Sequence, residues 1–497
     1  MALACVVGFP CMSTHTFDLV ASASAEMVRE GFQTEFPDGS ETQVAAIRAA
    51  EGARLDADVQ DLRALLWSSI DNDTSRDLDQ IEVAERVGDG VRVRVGVADV
   101  SASVLKNTPI DRYAAEQTQT VYTAVRNFSM LPTELSTDLT SLNEEQDRAA
   151  VVVEFVVDGE GKVQKTTIYR AQVRNRAQLA YSHVGPWLEG KAGPDAKVVA
   201  SRELQEQLRL QDEAAVKLRA QRVKMGALEF NRVEADPVVV DGKVQSISTA
   251  FRNRASDLIE ELMIAANETM ARTMRAGKRS SIRRVVRSPE RWGRIVELVG
   301  RHGTVLPPQP DAGALNAFLQ AQRQVDAVHY PDLSLAIIKL MGPGEYVLAR
   351  GDEEDQQGHF GLAAQDYSHS TAPNRRFADL VTQRVVKAML AEEAAPYSDD
   401  ELEAIAKHCN ERESAARKVE RTMLKRVAAV ALAGSVGKSF HGVITGANDK
   451  GTYVRVFDPP VEGKVVSGEQ GLDVGDTVDV TLLHTDPQHA FIDFAHA

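Results

Sequence analysis

Alternating apolar and polar positions mark three hairpins in the first half of the chain. Residues 81–100 alternate on both sides of Gly88-Asp89-Gly90, which favours a tight turn between two antiparallel strands. Residues 151–169 and residues 238–247 repeat this pattern, each around a turn that contains glycine. The pattern therefore predicts antiparallel sheet in this part of the chain.

Apolar residues at helical spacing predict three long helices further along. Residues 255–274 form the first of them. Residues 371–390 predict a second helix, with Thr371 as its N-cap and a proline in its first turn. A capping box at residues 410–413 predicts the start of a third helix, which ends at Gly434.

The two ends of the chain differ from its middle. Residues 1–62 have mostly helical periodicity, and a helix-turn-helix is one interpretation of them. After Gly434, five short strands are predicted, at residues 440–444, 453–456, 463–466, 477–483 and 491–494. Five short strands separated by turn residues are typical of a small OB-like barrel. The predicted fold class is therefore α+β.

Composition and charge exclude several classes of protein. The 497 residues are 43% hydrophobic and 26% charged, which excludes a collagen-like, disulfide-scaffold or mostly disordered chain. The formal net charge is −15, so nucleic acid can be bound only where basic residues cluster. Residues 272–294 form such a cluster, with nine Lys or Arg and one acidic residue. A phosphate-binding channel is one interpretation of this cluster, and a solvated surface is the alternative.

The sequence predicts a cytoplasmic protein. Its three cysteines, Cys5, Cys11 and Cys409, are too few for a disulfide framework and favour a reducing compartment. The apolar start of the chain has no preceding Lys or Arg, unlike a signal peptide. The apolar run at residues 427–433 is far shorter than the ~20 residues of a membrane span. We expect neither a membrane partner nor an obligate protein partner.

Four aspartates lie within one short segment: Asp71, Asp73, Asp77 and Asp79. They repel one another unless a cation neutralises them, so a solvated acidic loop is the simplest interpretation. A calcium-binding EF-hand is the second, because the spacing from Asp71 to Glu82 fits its ligands. However, Arg76 stands where that loop needs glycine, and a strand pattern follows. The third interpretation is a magnesium site for phosphodiester hydrolysis.

The segment Ile70-Asp71-x5-Asp77-Leu78-Asp79 resembles the catalytic signature of the ribonuclease II / ribonuclease R (RNB) family. Further blocks resemble the family's motifs in the same order: Met130-Leu131-Pro132 with Ser141-Leu142, Leu179-Ala180-Tyr181, Glu260-Glu261-x-Met263, Gly358-His359-Phe360-Gly361, and residues 367–380. The C-terminal barrel resembles an S1 RNA-binding domain. The resemblance implies an RNB catalytic domain at 63–435 and an S1 domain at 436–497. With the small helical domain indicated by the pattern of residues 1–62, three domains are predicted.

The resemblance also implies an activity and a set of site residues. We expect a hydrolytic 3′→5′ exoribonuclease that releases nucleoside 5′-monophosphates from single-stranded RNA, with structured RNA as a second substrate. The implied cofactor is Mg²⁺, with Mn²⁺ as the alternative. The implied metal and catalytic residues are Asp71, Asp77, Asp79, Gln80 at the fourth ligand position, Arg375 on the scissile phosphate, and Tyr181 and Glu261 on the terminal nucleotide. Glu260 is the alternative to Glu261, and an ion pair with Asp379 is the alternative role of Arg375.

Aromatic and basic residues are expected to hold the RNA. Tyr122 and Phe230 match positions where aromatic rings stack on bases near the 3′ end, and core packing is the alternative for both. The other expected RNA contacts are Arg283, Arg284 and Arg376 in the catalytic domain and Phe440 and Tyr453 on the barrel. His359 and His369 lie within family motifs, and we expect them to position neighbouring groups rather than to act as general bases.

The sequence departs from the family pattern in two places. The family usually has a fourth aspartate where this chain has Gln80, whose neutral carbonyl is a weaker Mg²⁺ ligand. Asp73 is the acid expected to compensate. The chain is therefore either a nuclease with altered metal affinity, which the other retained residues favour, or an RNA-binding remnant. Family members also commonly start with two cold-shock barrels, whereas residues 1–62 are mostly helical here, so RNA delivery is expected to differ.

Overall fold

A computed structural model describes residues 17–50, 58–231, 234–250, 252–326, 329–353 and 358–496. The positions of Cys5 and Cys11, and the start of the predicted helical domain, lie outside these ranges. Within these ranges no helix is long and apolar enough to cross a membrane.

Helices and strands are interspersed along the described chain. The helices are α1 (Leu19–Arg29), α2 (Ser40–Ala49), α3 (Val100–Ser103), α4 (Pro109–Gln117), α5 (Tyr181–Leu188), α6 (Ala196–Ala200), α7 (Arg202–Lys224), α8 (Arg254–Ala276), α9 (Trp292–Arg301), α10 (Ala312–Val325), α11 (Tyr330–Met341), α12 (Phe377–Leu390) and α13 (Asp399–Leu432). The strands are β1 (Gln60–Asp61), β2 (Trp67–Asp71), β3 (Gln80–Val87), β4 (Gly90–Ala98), β5 (Val121–Tyr122), β6 (Asn127–Phe128), β7 (Asp147–Val157), β8 (Val163–Ala180), β9 (Glu234–Val240), β10 (Lys243–Ala250), β11 (Ser281–Val285), β12 (Glu345–Ala349), β13 (Ser439–Asn448), β14 (Gly451–Phe457), β15 (Pro460–Ser467), β16 (Thr477–Asp486) and β17 (Phe491–His496). This mixture confirms the predicted α+β class.

The main sheet of the catalytic part closes on itself. Its strand order is β1-β8-β2-β3-β4-β7, and β7 pairs with β8 again because β8 is 18 residues long. The first part of β8 lies antiparallel to β7, whereas its last residues lie parallel to β2. The three predicted hairpins are confirmed as β3–β4, β7–β8 and β9–β10.

Two helices cover one face of this sheet and bury its aliphatic residues. Leu258 and Leu262 of α8 belong to the same buried core as Val93 and Val95 of β4. Burying one such side chain stabilises the fold by about 1.5–3 kcal/mol. α7 packs beside α8 and against β3. The strand that follows the acidic segment is therefore covered by helices.

The C-terminal strands form the predicted barrel. β13 to β17 close in the order β13-β14-β15-β17-β16, and Val454, Leu482 and Phe494 fill the interior. Ala428 and Leu432, at the end of α13, belong to the same core, so the last long helix supports the barrel.

The two N-terminal helices pack on different parts of the molecule. Ala23 and Met27 of α1 share a buried core with Ala416 and Met423 of α13. α2 instead packs against α4. The division of the chain at residues 62 and 435 stays a prediction.

Two predicted helix starts are wrong. α12 begins at Phe377 rather than Thr371, because residues 371–376 form an irregular loop that contains a proline. α13 begins at Asp399, where Ser398 and Glu401 form its capping box. The side chain of Asn410, predicted as a cap, exchanges hydrogen bonds with the backbone of Tyr346 on β12.

Candidate active site

The acidic segment joins β2 to β3 at one end of the main sheet. Asp71 is the last residue of β2, and β3 begins at Gln80. Asp71 pairs in register with Ala180 at the end of β8, so Tyr181 follows directly at the start of α5. The fold therefore brings the aspartates and this tyrosine, which are more than a hundred residues apart in sequence, to the same edge.

Asp79 is the most enclosed of the three aspartates predicted as metal ligands, with 2% exposure. Its Oδ1 accepts a hydrogen bond from the backbone N–H of Asn374 at 2.9 Å, and its Oδ2 accepts one from Nε of Arg375 at 3.0 Å. Burial raises the pKa of Asp79 to about 7, while the Arg375 charge acts in the opposite direction. The predicted arginine is therefore in direct contact with the predicted acid.

Arg375 and its neighbour have different partners. The alternative pair of Arg375 with Asp379 is absent, because Arg376 Nη2 donates to Asp379 Oδ1 at 2.7 Å. The same carboxylate oxygen accepts the backbone N–H of Ala372 and so stabilises the loop before α12. This arrangement does not support the predicted RNA contact of Arg376. Arg375 keeps 42% of its side chain exposed.

Asp77 and Asp71 each have local hydrogen-bond donors. Tyr122 Oη donates to Asp77 Oδ2 at 2.8 Å, and the tyrosine is 39% exposed. Asp71 Oδ1 accepts from the backbone of Asn72 at 2.7 Å and from Ser75 Oγ at 3.0 Å. Burial raises the pKa of Asp71, and the Asp77 charge acts in the same direction. The cluster therefore carries negative charge that its own hydrogen bonds only partly stabilise.

A cavity of about 1050 Å³ opens beside the acidic segment. Asn72, Tyr181, Phe230 and Glu260 are among the residues that line it. Phe230 also packs against the core around α9–α11, so it has both a core face and a cavity face. The volume is slightly larger than the range of about 300–1,000 Å³ for ligand sites.

The two adjacent glutamates of α8 differ in their surroundings. Glu261 is 4% exposed, and both of its oxygens accept hydrogen bonds from the guanidinium of Arg222. Glu260 faces the cavity that Tyr181 lines. Each glutamate accepts a hydrogen bond from an arginine, Glu261 from Arg222 and Glu260 from Arg252. Glu260 is the more exposed of the two and lines the cavity, so the geometry favours Glu260 for the nucleotide contact predicted for Glu261.

Two arginines of the predicted basic cluster are enclosed in the protein. Arg283 and Arg284 on β11 are 3% and 6% exposed. Arg283 donates to Asp366 at 2.9 Å, and Arg284 donates to both oxygens of Glu413 at 2.7 and 2.9 Å. The ion pair of Arg283 with buried Asp366 does not support its predicted contact with RNA. Arg284 lines the cavity beside the acidic segment, but half-buried Glu413 already accepts hydrogen bonds from its guanidinium.

A second groove, of about 900 Å³, lies between the barrel and the helices α9, α11 and α13. Its basic and aromatic lining includes Arg291, Arg294, Lys339, Arg421, Lys425 and Tyr453. The Lys425 ammonium lies 5.5 Å from the centre of the Tyr453 ring. Phe440 instead packs edge-on against Phe494, 6.1 Å away, so it contributes to the barrel core as well as to its surface.

Glu82, which the sequence indicated only as the last ligand position of the EF-hand interpretation, has unusual surroundings in the structure. It lies on β3, is fully buried, and accepts no hydrogen bond on either oxygen from the described residues. Burial and the charge of Asp71 raise the pKa of Glu82 well above its usual range. The EF-hand interpretation is wrong, because β3 rather than a helix follows the acidic segment. The expected compensation by Asp73 is not supported either, since Asp73 is exposed and accepts a hydrogen bond from Ser182.

The oxygen atoms of these carboxylates are of the type that binds a divalent cation, although they are not arranged as a complete set of metal ligands. Among the described residues no three His, Cys, Asp or Glu side chains already converge on one point as metal ligands do. The unpartnered oxygens of Glu82 and the desolvated carboxylates of Asp71 and Asp79 are nevertheless the hard oxygen donors that Mg²⁺ and Mn²⁺ prefer.

The two motif histidines are held by neighbouring groups. His359 Nδ1 accepts the backbone N–H of Leu362 at 3.2 Å, and burial lowers the pKa of His359 to about 4. His369 Nδ1 lies 2.8 Å from Tyr346 Oη, and burial lowers its pKa well below the usual value. These contacts agree with a positioning role.

Comparison with known proteins gives matches over nearly the whole described chain. Residues 59–392 match the RNB domain, and residues 438–497 match the C-terminal S1 domain of RNase II-type exonucleases. Ribonuclease R of Escherichia coli is 30% identical over 449 residues, which are 86% of this chain and 54% of that protein. The chain therefore spans about half the length of the curated relatives it matches.

Solved structures of similar fold include both RNA-bound and inactive proteins. The RNase R of Mycoplasma genitalium, in complex with ribose-methylated single-stranded RNA, superposes with a TM-score of 0.85 at 24% identity and covers 97% of this chain and 78% of its own. Yeast Ssd1, a pseudonuclease, superposes with a TM-score of 0.66 at 16% identity, over 87% of this chain and 54% of its own. At these identities the likeness shows the fold alone.

Proposed function

Because the chain belongs to the RNB family, we propose that it is a metal-dependent 3′→5′ exoribonuclease that hydrolyses RNA to nucleoside 5′-monophosphates. The observation that carries this proposal is the contact of Arg375 with Asp79 beside Asp71 and Asp77. Three desolvated or hydrogen-bonded carboxylates and one arginine, in a segment that borders a cavity of about 1050 Å³, suit phosphodiester hydrolysis.

Asp71, Asp77 and Asp79 are the residues that would hold the cation. A bound Mg²⁺ or Mn²⁺ supplies an activated water and stabilises negative charge on the phosphate. The hydrogen bonds of Asp71 to Asn72 and of Asp77 to Tyr122 fix two of these carboxylates in place. Preorganised ligands of this kind favour cation binding because little conformational freedom remains to be lost.

Arg375 is proposed to contact the scissile phosphate. Its Nε is bonded to Asp79, whereas its two terminal nitrogens make no hydrogen bond to the described residues. A guanidinium held at one nitrogen presents its remaining donors in a fixed fork, which suits a phosphate. Asp79 thus orients Arg375 as well as serving the metal site.

The last nucleotides of the RNA are proposed to lie between Tyr122, Tyr181 and Phe230. Tyr122 is exposed next to Asp77, and the other two rings line the cavity. Aromatic stacking holds any base, which suits an enzyme without sequence preference. Glu260 lines the same cavity. Arg252 donates to its Oε2, and its other oxygen is proposed to accept a hydrogen bond from a ribose hydroxyl.

Single-stranded RNA is proposed to approach along the basic groove beside the barrel. The chain has a net charge of −15, so a local path is needed, and Arg291, Arg294 and Lys425 line this groove. Tyr453 offers a ring there for base stacking. Structured RNA stays a second predicted substrate.

The test uses 5′-labelled single-stranded RNA with Mg²⁺, Mn²⁺ or EDTA and compares the wild-type protein with Asp79→Asn. We expect a ladder that shortens from the 3′ end and disappears both with EDTA and in the variant. Asp73→Asn is the matched control, because Asp73 is an exposed acid of the same segment whose carboxylate is directed to Ser182. Cleavage that persists in EDTA would refute the metal mechanism.

The second candidate function is RNA binding without cleavage. Gln80, which offers no carboxylate at the fourth ligand position, favours it, and the pseudonuclease Ssd1 has the same fold. RNA that is bound but left intact with both metals would establish this alternative. A gel-shift measurement with the same labelled RNA separates it from a protein that does not bind RNA at all.

A further inference from the structure

Six basic side chains and one acid line the second groove, which lies beside the barrel. Among the described lining residues the acid is Glu462, and the basic ones are Arg291, Arg294, Lys339, Arg421, Lys425 and Lys450. Glu462 Oε2 accepts a hydrogen bond from Lys339 at 3.0 Å. Arg421 and Lys450 are exposed and form no ion pair with a described residue. The groove therefore carries positive charge that favours an anionic ligand.

Two of these cations are neighbours on α13 and repel each other. Arg421 and Lys425 are four residues apart, so they lie on adjacent turns on one side of the helix. Burial lowers the pKa of Lys425, and the Arg421 charge acts in the same direction. Glu462 Oε1 lies 4.0 Å from the Lys425 ammonium, but the other oxygen of Glu462 is held by Lys339. A phosphate oxygen between the two cations would offset their repulsion.

The helix α13 lines the cavity as well as the groove. Arg421 and Lys425 line the groove, whereas Arg417, one turn earlier, lines the cavity beside the acidic segment. Arg417 donates to Glu413 at 2.6 Å but keeps 54% of its side chain exposed. Consecutive members of this set are four residues apart, which is about 6 Å along the helix axis. Arg417, Arg421 and Lys425 thus form one row, the α13 row, from the cavity to the groove.

The α13 row passes close to the candidate active site. Glu420, which precedes Arg421, accepts a hydrogen bond from the backbone N–H of Tyr122 at 3.3 Å. The phenol of Tyr122 donates in turn to Asp77. A strand that follows the row from the groove therefore arrives beside the aromatic ring that is proposed to hold the last bases.

We propose that single-stranded RNA lies along α13, with consecutive phosphates on Lys425, Arg421 and Arg417 and with its 3′ end in the cavity. This inference rests on the proposed function, in which the cavity holds the last nucleotides. The spacing of about 6 Å within the row is similar to that between neighbouring phosphates of an extended strand. Tyr453, whose ring centre lies 5.5 Å from the Lys425 ammonium, offers a stacking surface for a base at the outer end of the row.

The experiment measures the affinity for labelled single-stranded RNA by fluorescence anisotropy at several KCl concentrations, in EDTA so that the RNA stays intact. Each phosphate contact of a single strand adds about 0.7 to the steepness of log affinity against log salt concentration. Arg421→Gln should therefore make this plot shallower by about 0.7, and Arg421→Gln with Lys425→Gln by about 1.4. Lys407→Gln is the matched control, because Lys407 is an exposed lysine of the same helix that lines neither the groove nor the cavity.

The length of the RNA separates the α13 row from the cavity. A labelled dinucleotide occupies the cavity without reaching Arg421, so equilibrium dialysis should give equal affinities for wild type and Arg421→Gln. The melting temperature of Arg421→Gln should also equal that of wild type, because the side chain is exposed and forms no ion pair with a described residue. If the variant with Lys425→Gln does not fold, Arg421→Glu is the second variant and should make the plot shallower by at least as much as Arg421→Gln.

Three results would overturn the inference: a wild-type salt dependence in both Arg421 variants, an equal change in Lys407→Gln, or an equal loss of affinity for the dinucleotide. The readout does not depend on nuclease activity. If the protein binds RNA without cutting it, a shallower plot for Arg421→Gln still supports the inference while the proposed function fails. If RNA is cleaved and the Arg421 variants keep the wild-type salt dependence, only the inference fails.

Discussion

Acidification should destabilise the fold through His359. This ring accepts the Leu362 N–H on Nδ1 and so caps the turn Phe360–Leu362, which requires the neutral form. Burial lowers the pKa of His359 from 6.5 to about 4, and the nearby Arg284 charge acts in the same direction. Between these two values the unfolded chain binds a proton that the folded chain does not. Stability is therefore complete above pH 6.5 and is lost as the pH falls towards 4.

The size of the effect follows from the two pKa values. At about pH 5, the unfolded histidine is almost fully protonated and the native ring mostly neutral. The difference in proton binding between the two states lowers the free energy of unfolding by about 2 kcal/mol relative to about pH 7.5. His369, whose pKa is also lowered by burial, adds to the total slope, so the contribution of His359 has to be isolated by substitution.

His359→Asn is the substitution that isolates it. Asparagine places an acceptor oxygen near the position of Nδ1 and is a favourable N-cap, so the turn is kept while the titration is removed. Urea unfolding of both proteins at about pH 5 and about pH 7.5 should show a pH-dependent loss that is about 2 kcal/mol smaller in the variant. His183→Asn, at an exposed position, is the control and should behave as wild type. Equal pH dependence in wild type and His359→Asn would refute the reasoning.

Two further predictions concern the candidate site. Tyr122→Leu removes the ring but keeps apolar bulk, so it should weaken RNA affinity by about 1–3 kcal/mol. Tyr122→Phe keeps stacking and loses only the hydrogen bond to Asp77. Equal RNA affinities of the two variants in a filter-binding assay would contradict a stacking role. Arg222→Met leaves Glu261 buried without its partner and should cost about 3–5 kcal/mol of stability, which Arg222→Met with Glu261→Leu should largely recover. If the double variant is stable but cannot bind RNA, Glu261 rather than Glu260 contacts the nucleotide.

Elements with a local signal could be predicted from the sequence. The β3–β4 hairpin and the five barrel strands follow from alternation and turn residues only a few positions apart. The start of α12 could not be predicted in this way, because Thr371 resembles a cap while Asp379 and Arg376 hold residues 371–376 in a loop. The start of α13 was missed for a related reason: Asn410 has the chemistry of a cap, but its actual partner is the backbone of Tyr346.

At the candidate site, too, local features could be predicted from the sequence and distant partners could not. The aspartates form a local cluster that the spacing reveals, but the partners that give each one its role come from elsewhere: Asp79 meets Arg375 from 296 residues away. From the sequence, Arg283 and Arg284 are candidate phosphate contacts. In the structure they instead donate to Asp366 and Glu413. Glu82 shows the converse. Between apolar Ile81 and Val83, alternation predicts a solvent-facing glutamate, and only the helices that cover this face of β3 make it a buried acid. A sequence pattern reports which side of a strand a residue is on, whereas its chemistry depends on what covers that side.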